Sequence, residues 1–274
     1  MPKLRARHHP NGSRLDLRLA RVQPADPGPG ARSLHEVRRF GHPGWGGTFF
    51  MVERKGGHRA QGRKGSSPTH RAQWRSTYEE TAFDQLPWFE PGPSPPIRLA
   101  VREGFLPKGG DVLDVGCGAG SNVLFLAKQG YGAHGIDLSP GAVAAARNRA
   151  HKAGLVVDIQ EGDALALRFA RGRLDGMVDH GCFHTLPISR RDDYAREAHR
   201  VIRPGGSFVL CWVAREAAGK MGPPHRPSLE EVATAFESRF LFSRTGFQLG
   251  REEGEPASYF AFLVRRSAPR PPVR

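Results

Sequence analysis

The chain has 274 residues and a formal net charge of +14, a length that fits one domain with an extension or two small domains. The charge is uneven, because residues 1–75 hold 16 Lys and Arg against 4 Asp and Glu, whereas residues 76–274 hold 25 against 23. The basic part could attract RNA, DNA or an anionic membrane. Because residues 76–274 are nearly neutral, their net charge gives no support for nucleic-acid binding by this part of the chain.

The cysteines and the lengths of the apolar segments indicate the cellular compartment that we expect for the protein. Cys117, Cys182 and Cys211 form no CxxC pair and no disulfide framework, which favours a reducing, cytoplasmic setting. No stretch has the length of a transmembrane helix, and the N-terminus lacks the apolar core of a secretory signal. Its many Gly and Pro residues argue against an amphipathic transit peptide. We therefore expect a cytoplasmic protein with no membrane partner.

The composition divides the chain into three parts. Residues 1–73 are basic, rich in Gly and Pro and poor in apolar residues, so we expect a disordered extension. An alternative is that translation begins at Met51, in which case residues 1–50 are absent from the protein. Residues 74–267 are expected to form the folded domain, and residues 268–274 a short Pro/Arg tail.

Within the domain, strand and helix patterns alternate. After the aromatic stretches at 74–78 and 86–89 and a proline-rich bend, the patterns predict five helices, at 97–105, 122–129, between Ser139 and Gly154, at 191–201 and at 228–237. The predicted strands are 112–116, 133–137, 156–161, 174–179 and 207–213, with 247–252 and 259–265 as a closing pair. This alternation predicts an α/β fold with a largely parallel sheet covered by helices on both faces.

A glycine turn follows the first strand, in the sequence Asp-Val-Leu-Asp-Val-Gly-Cys-Gly-Ala-Gly of residues 111–120. Gly116, Gly118 and Gly120 would let the backbone approach a ligand at the carboxyl end of the strand. Their G-x-G-x-G spacing differs from the dinucleotide motif G-x-G-x-x-G, and the turn lacks the lysine of a phosphate loop. The turn therefore predicts a ligand other than a dinucleotide or ATP.

Three carboxylates are expected around this turn. Asp137 ends the second strand, where it can accept hydrogen bonds from both hydroxyls of a ribose, and Asp163 follows the third, where it can accept one from an exocyclic amine. Asp114 lies within the glycine motif itself. A site with three acids and no fixed cation suits a nucleoside that carries positive charge.

These motifs resemble those of the class I S-adenosylmethionine (SAM)-dependent methyltransferases, from about Trp74 to the C-terminus. The glycine motif is followed in the expected order by Gly-Ile-Asp-Leu-Ser, Glu-Gly-Asp-Ala, Leu-Asp-Gly-Met-Val-Asp and Ala-His-Arg-Val-Ile-Arg-Pro-Gly-Gly. The resemblance implies a Rossmann-like doubly wound, mostly parallel seven-stranded sheet with an antiparallel last strand. It also implies SAM as the cofactor.

The resemblance assigns cofactor-binding roles residue by residue. It implies contacts to the methionine part from the glycine motif, to the ribose from Asp137, to the adenine face from Leu138, and to the adenine edge from the Glu-Gly-Asp-Ala segment. Trp74, Trp88 and Phe89 are interpreted either as a lid over the cofactor or as packing for the first helix. The full predicted set is Asp114, Gly116, Cys117, Gly118, Gly120, Asp137, Leu138, Asp163, Ala164 and Trp88.

The acceptor is expected after the fourth strand, in residues 178–186. The Asn-Pro-Pro-aromatic pattern of DNA amine methylation is absent there. The segment Asp-x-Gly-Cys-Phe-His instead resembles the branch of thiopurine and tellurite-resistance methyltransferases, which act on small thiols or chalcogen oxyanions. Asp179, His180 and His184 are the candidate catalytic residues. Alternatively, Asp179 caps the loop and the histidines are structural. The cysteine spacing predicts no metal site.

Three functional hypotheses remain, besides a Rossmann-like domain with another ligand or none. The first is a methyltransferase acting on a small molecule, with a thiol or another soft nucleophile as acceptor. The second is an RNA or DNA methyltransferase that captures its substrate with the basic extension. The third is a non-catalytic SAM-binding protein. The sequence leaves the oligomeric state open.

Overall fold

A computed structural model describes residues 17–18, 65–213, 225–249 and 256–267. Most of the basic extension and the whole Pro/Arg tail lie outside the described residues. The disorder predicted for that part of the extension therefore stays a prediction. The helices are α1 Pro68–Glu80, α2 Pro95–Arg102, α3 Ser121–Lys128, α4 Pro140–Lys152, α5 Arg191–Val201 and α6 Leu229–Phe236. The strands are β1 Leu17–Arg18, β2 Asp111–Val115, β3 Gly132–Asp137, β4 Asp158–Glu161, β5 Leu174–His180, β6 Ile202–Val213, β7 Phe240–Leu249 and β8 Pro256–Arg265.

The strands form one mixed sheet in the order β1-β7-β8-β6-β5-β2-β3-β4. The neighbours from β4 to β6 pair in parallel, whereas β8 pairs antiparallel with both β6 and β7. The seven strands from β2 to β8 confirm the predicted Rossmann-like sheet and its antiparallel last strand. The two-residue strand β1, paired with β7, was not predicted, because it lies in the extension for which we expected disorder.

Both faces of the sheet are buried, as expected for parallel strands covered by helices. On β2, Leu113 and Val115 pack into the cluster that also contains residues of α5 and α6. Val112, which precedes Leu113 and faces the opposite side of the sheet, packs into the second cluster, with residues of α2, α3 and α4. The strand period of two thus divides each strand between two cores and leaves its carboxyl end for the site.

Local signals explain where α4 begins and ends. The Ser139 hydroxyl accepts a hydrogen bond from the Ala142 N–H at 3.4 Å, and Pro140 occupies the first turn, where its missing N–H has no consequence. Gly154 follows the helix with a φ of +64°, a conformation that favours glycine. The predicted cap and terminator are confirmed.

The closing pair of strands is confirmed, but β7 begins earlier than predicted. It starts at Phe240, and Phe247 lies opposite Tyr259. The predicted strand, 247–252, left Gly246 outside, and glycine inside a strand often marks a close approach of another residue. In the structure a Cβ at Gly246 would overlap the ring of Phe260, so the glycine serves close packing inside the strand.

The folded domain also begins earlier than the predicted boundary at Trp74. Helix α1 starts at Pro68, and its N-cap Ser67 accepts a hydrogen bond from the His70 N–H. None of its thirteen residues is fully buried, so α1 has no apolar periodicity that the sequence could have shown. Among the described residues, no helix is long and apolar enough to cross a bilayer.

Candidate functional site

The glycine turn after β2 is fixed by backbone conformation and by close neighbours. Gly116, Gly118 and Gly120 have φ values of +66°, +53° and +88°. A Cβ at Gly116 would lie 2.7 Å from the Cβ of Cys182, and one at Gly118 would lie 3.0 Å from the hydroxyl of Tyr78. Residues with side chains would therefore be strained and crowded here, and the backbone is open to close approach.

Arg149 of α4 holds the far end of this turn. Its Nη1 donates to the Ala119 carbonyl at 2.6 Å and to the Ser121 hydroxyl at 3.1 Å. Its guanidinium also lies over the ring of Phe89, 5.4 Å from the centroid. These contacts tie the turn to α4 and to the segment before α2. The sequence did not indicate Arg149, because a basic residue in the last turn of a helix is unremarkable by itself.

Asp114 lies buried beneath the turn. Its Oδ2 accepts a hydrogen bond from the Val123 N–H at 3.1 Å, which joins β2 to the first turn of α3. Burial and the nearby charge of Asp179 raise the pKa of Asp114 to about 8. No cationic side chain in the described part of the chain offsets this effect, and a positively charged ligand above the turn would favour the ionised form of Asp114.

Asp137 joins the end of β3 to the glycine turn. Its Oδ1 accepts from the Ser139 N–H and its Oδ2 from the Gly118 N–H, both at 2.9 Å. Burial raises the pKa of Asp137 in spite of these bonds. Each oxygen of a carboxylate has a second lone pair, so Asp137 can still accept two hydroxyl groups. This geometry fits the predicted ribose contact.

The residues next to these acids contribute less through their side chains. Leu138 is half-buried beside the turn, where its side chain could cover one face of a base. The Cys117 N–H donates to the Ile136 carbonyl, and its Sγ lies 3.1 Å from the position of a Cβ on Gly135. Burial raises the pKa of the Cys117 thiol. Cys117 therefore packs against β3, and any contact to a cofactor would come from its backbone.

Asp163, the predicted acceptor for the adenine edge, is already engaged. Its Oδ2 accepts from the Ser66 N–H and from Nη2 of Arg71, both at 2.6 Å. Its Oδ1 accepts from the Ser66 hydroxyl at 3.0 Å and from the Leu165 N–H at 2.9 Å. The neighbouring Ala164 is buried. An adenine amine could use Asp163 only if the segment before α1 gave up its contacts.

Aromatic side chains lie next to the glycine turn, where the Tyr78 hydroxyl is 3.0 Å from the position of a Cβ on Gly118. Trp88 is 49% exposed and meets Trp74 edge-on, with 5.7 Å between ring centroids. Burial and the charge of Asp137 raise the pKa of Tyr78. Tyr78 was not among the site residues that we predicted from the sequence.

Asp179 is engaged within its own loop. Its Oδ1 accepts from the Cys182 N–H at 2.8 Å, and its Oδ2 accepts from the Phe183 N–H at 3.0 Å and from the Tyr194 hydroxyl. The side chain is fully buried, and burial raises its pKa to about 6. This is the loop cap considered as the alternative, and the prediction of a catalytic Asp179 does not fit the geometry.

His184 is also held in a structural contact. Its Nδ1 accepts a hydrogen bond from the Val213 N–H at 3.0 Å, so Nε2 of the neutral ring carries the proton. Burial, with smaller effects from neighbouring charges, lowers the pKa of His184 to about 3. A neutral ring with this tautomer has no free lone pair, so the prediction of His184 as a base does not fit the geometry.

His180 remains a candidate base among the three predicted residues. It ends β5 and is half-buried next to Gly181. Burial lowers the pKa of His180, and the charge of Glu90 partly offsets this effect. The ring is therefore neutral at pH 7. Within the described part of the chain, no group of three or more His, Cys, Asp or Glu is placed to hold a metal ion, and all three cysteines are free thiols.

Comparisons with known proteins indicate the class of protein. Residues 112–206 match a family model described as a methyltransferase domain. A 2-heptyl-1-hydroxyquinolin-4(1H)-one methyltransferase of Mycobacteroides abscessus is 29% identical over 193 residues, which cover 65% of this chain and 84% of the relative. An uncharacterised protein of Mycobacterium tuberculosis is 31% identical over 187 residues, which are 66% of this chain and 64% of the relative's length.

Two solved structures show the same fold. The first is a structure concerned with the conversion of a disulfide bond into a thioacetal group during echinomycin biosynthesis. It superposes with a TM-score of 0.61 at 24% identity, over 71% of this chain and 91% of that chain. The second is magnesium protoporphyrin IX methyltransferase of Synechocystis with bound SAH, with a TM-score of 0.58, 18% identity, and coverage of 72% and 99%. Fold, glycine turn and domain match agree, and the protein is a class I SAM-dependent methyltransferase.

Proposed function

We propose that this enzyme methylates a small molecule whose acceptor atom is ionised, or easily ionised, at neutral pH. The observation that carries the proposal is that both candidate side chains are engaged in structural hydrogen bonds, Asp179 with its own loop and His184 with the Val213 N–H at the end of β6. Neither side chain is available to remove a proton from a weakly acidic group. A thiol, or a hydroxyl more acidic than an alcohol, needs little or no help from a base.

The cofactor would be held by the residues that fit it. SAM, when bound, supplies the methyl group on a sulfonium centre. The glycine turn and Asp114 would contact the methionine part, and Asp137 the ribose hydroxyls. Burial raises the pKa of both carboxylates, and a cofactor with positive charge would favour their ionised forms. Leu138 would lie against the adenine.

The acceptor would lie at the carboxyl end of β5, beside His180. SAM, when bound, would supply the methyl group to a lone pair of the acceptor's sulfur or oxygen, and S-adenosylhomocysteine would be the second product. The acceptor's proton has left for water, or for the lone pair of His180 when the acceptor is a hydroxyl. The enzyme contributes alignment and exclusion of water rather than strong base catalysis.

Flat aromatic acceptors suit the side chains at the mouth of the site. Nε1 of Trp74 donates to Nε2 of His70 at 3.1 Å, and Trp74 also meets the ring of Trp88. The relative from Mycobacteroides abscessus is named for a 1-hydroxyquinolinone, whose ring-nitrogen hydroxyl is more acidic than an alcohol. The thiol proposed from the sequence and this hydroxyl share one property, an acceptor atom that loses its proton readily.

Release of S-adenosylhomocysteine by the full chain tests the proposal. SAM is offered with aromatic thiols, 2-heptyl-1-hydroxyquinolin-4(1H)-one, an unactivated aromatic alcohol, tellurite and bulk RNA, and Asp137→Asn serves as the cofactor-site control. We expect turnover with thiols or the hydroxyquinolinone and none with the alcohol. Turnover restricted to RNA would contradict the proposal and support capture by the basic extension. SAM binding without turnover on any acceptor would support a non-catalytic role.

A further inference from the structure

We propose that residues 65–80, here called the N-terminal arm, form an autoinhibitory contact that competes with SAM for Asp163. The inference rests on the cofactor site described under the proposed function, together with the adenine contact predicted for Asp163 from the sequence, and adds a regulatory element to that site. In the arm, Ser66 and Arg71 supply donors to the carboxylate that would otherwise accept from the adenine amine. The arm and the cofactor would therefore exclude one another at this carboxylate.

The first argument is the number of acceptor positions on Asp163. The arm contributes three hydrogen bonds, two from Ser66 and one from Arg71, and the Leu165 N–H contributes a fourth. A carboxylate offers about four lone-pair positions. All of them are in use while the arm is docked, so an adenine amine can bind Asp163 only by replacing a donor of the arm.

The second argument is the fit of the arm on the site. A Cβ at Gly65 would lie 2.7 Å from Oδ2 of Asp163, so only glycine allows the backbone this close. At the other end of the arm, the Tyr78 hydroxyl lies over the backbone of Gly118. The arm therefore covers both the adenine end and the glycine turn, which are the two regions that the cofactor would occupy.

The third argument is that the arm is lightly held. No residue of α1 is fully buried, so undocking the arm exposes little core surface. The Arg71 side chain is 45% exposed, and Arg190 adds one hydrogen bond to the Gly65 carbonyl at 2.9 Å. Ion pairs with one partner this exposed are weak, since water competes for the charge. A ligand of ordinary affinity can therefore displace the arm.

Calorimetric titration with SAM gives the first test. If the docked arm limits the binding-competent fraction, Arg71→Ala should bind SAM about three- to tenfold more tightly than the wild type. Arg75→Ala is the matched control, because Arg75 lies one turn further along α1 and 3.9 Å from the exposed Glu161. Its affinity should equal that of the wild type. Unchanged or weaker binding by Arg71→Ala would overturn the inference.

Amide hydrogen exchange in the absence of any acceptor gives the second test. The Ser66 N–H donates directly to Asp163, so its exchange reports whether the arm is docked. SAM should increase exchange across residues 66–74, the reverse of the protection that ligands usually confer. Protection of these residues by SAM would mean that the arm closes over the cofactor, and the inference would be wrong.

The two tests separate this inference from the proposed function. SAM binding by both proteins with equal affinity and a protected arm would remove the autoinhibitory contact while leaving the methyltransferase site intact. Absence of SAM binding in both the wild type and Arg71→Ala would instead contradict the cofactor site and the inference together.

Discussion

The replacement His184→Asn separates a structural histidine from a catalytic one. Asparagine can place its Oδ1 near the position of Nδ1 and keep the hydrogen bond from the Val213 N–H, but it does not titrate. In the wild type, burial lowers the pKa of His184 to about 3 from an ordinary value of 6.5. The unfolded chain therefore takes up a proton below pH 6.5, while the folded protein does not do so until about pH 3.

The direction and size of the effect follow from this difference. The stabilisation linked to His184 is complete above pH 6.5 and is lost progressively as the pH falls towards 3. At pH 4.5 the folded pKa is still lower than the solution pH, so the loss corresponds to two pH units, or about 2–3 kcal/mol. Acidification from pH 7.5 to 4.5 should therefore destabilise the wild type more than His184→Asn by about this amount.

Urea unfolding at the two pH values measures the difference, and SAH release measures the catalytic consequence. His151→Asn, in the exposed last turn of α4, is the control and should follow the wild type in both assays. We expect His184→Asn to retain turnover at pH 7.5. An equal loss of stability in wild type and His184→Asn would refute the linkage argument. A large fall in kcat with unchanged SAM affinity would restore His184 as a catalytic residue.

Four further predictions concern the cofactor and acceptor. Asp137→Asn should weaken SAM binding at least about tenfold by removing a charged acceptor for the ribose, and near-native affinity in a calorimetric titration would contradict that role. Gly118→Val should abolish SAM binding, because a Cβ would lie 3.0 Å from the Tyr78 hydroxyl and valine would be strained at a φ of +53°. Circular dichroism should show that the variant keeps its fold, and preserved SAM binding would place the cofactor elsewhere. SAM affinity should fall up to about eightfold from pH 8.5 to 7, because Asp114, with its pKa of about 8, takes up a proton. Asp114→Asn should flatten this pH dependence. A wild-type pH profile in that variant would exclude Asp114 as the source of the dependence. His180→Gln should lower kcat for a hydroxyl acceptor below the pKa of that hydroxyl and leave a thiolate acceptor almost unaffected; equal losses for both would assign His180 to positioning rather than proton transfer.

The parts of the site that could be predicted depend on local sequence. The glycine turn needs positive φ values at three positions, and such a requirement appears directly as glycines after an apolar strand. Asp137 was predictable because the carboxyl ends of parallel strands meet at one edge of the sheet. The start of α4 was likewise predictable, since Ser139 and Pro140 are adjacent in the chain and act within one turn.

The acceptor side was predicted less well, because the partners of its polar residues come from distant elements. The Tyr194 hydroxyl reaches Asp179 from α5, and the Val213 N–H reaches His184 from the end of β6. Both contacts convert residues that are typical of catalysis into structural ones. A residue type after a strand indicates a place in the fold, whereas its free lone pairs depend on neighbours that only the tertiary structure specifies.

The N-terminal arm is the clearest case of contacts that depend on distant residues and leave no signal in the local sequence. Its helix lacks a fully buried residue, so neither burial nor periodicity separates it from the extension before it. Its contacts are polar and join Ser66 and Arg71 to Asp163, over 90 residues away in the sequence, where composition carries no signal. The sequence therefore indicated disorder up to residue 73, although α1 begins at Pro68. It assigned Asp163 to adenine without indicating the donors of the arm that contact this carboxylate. The segment that adds no fully buried residue to the core is thus the one that we propose to control access to the cofactor.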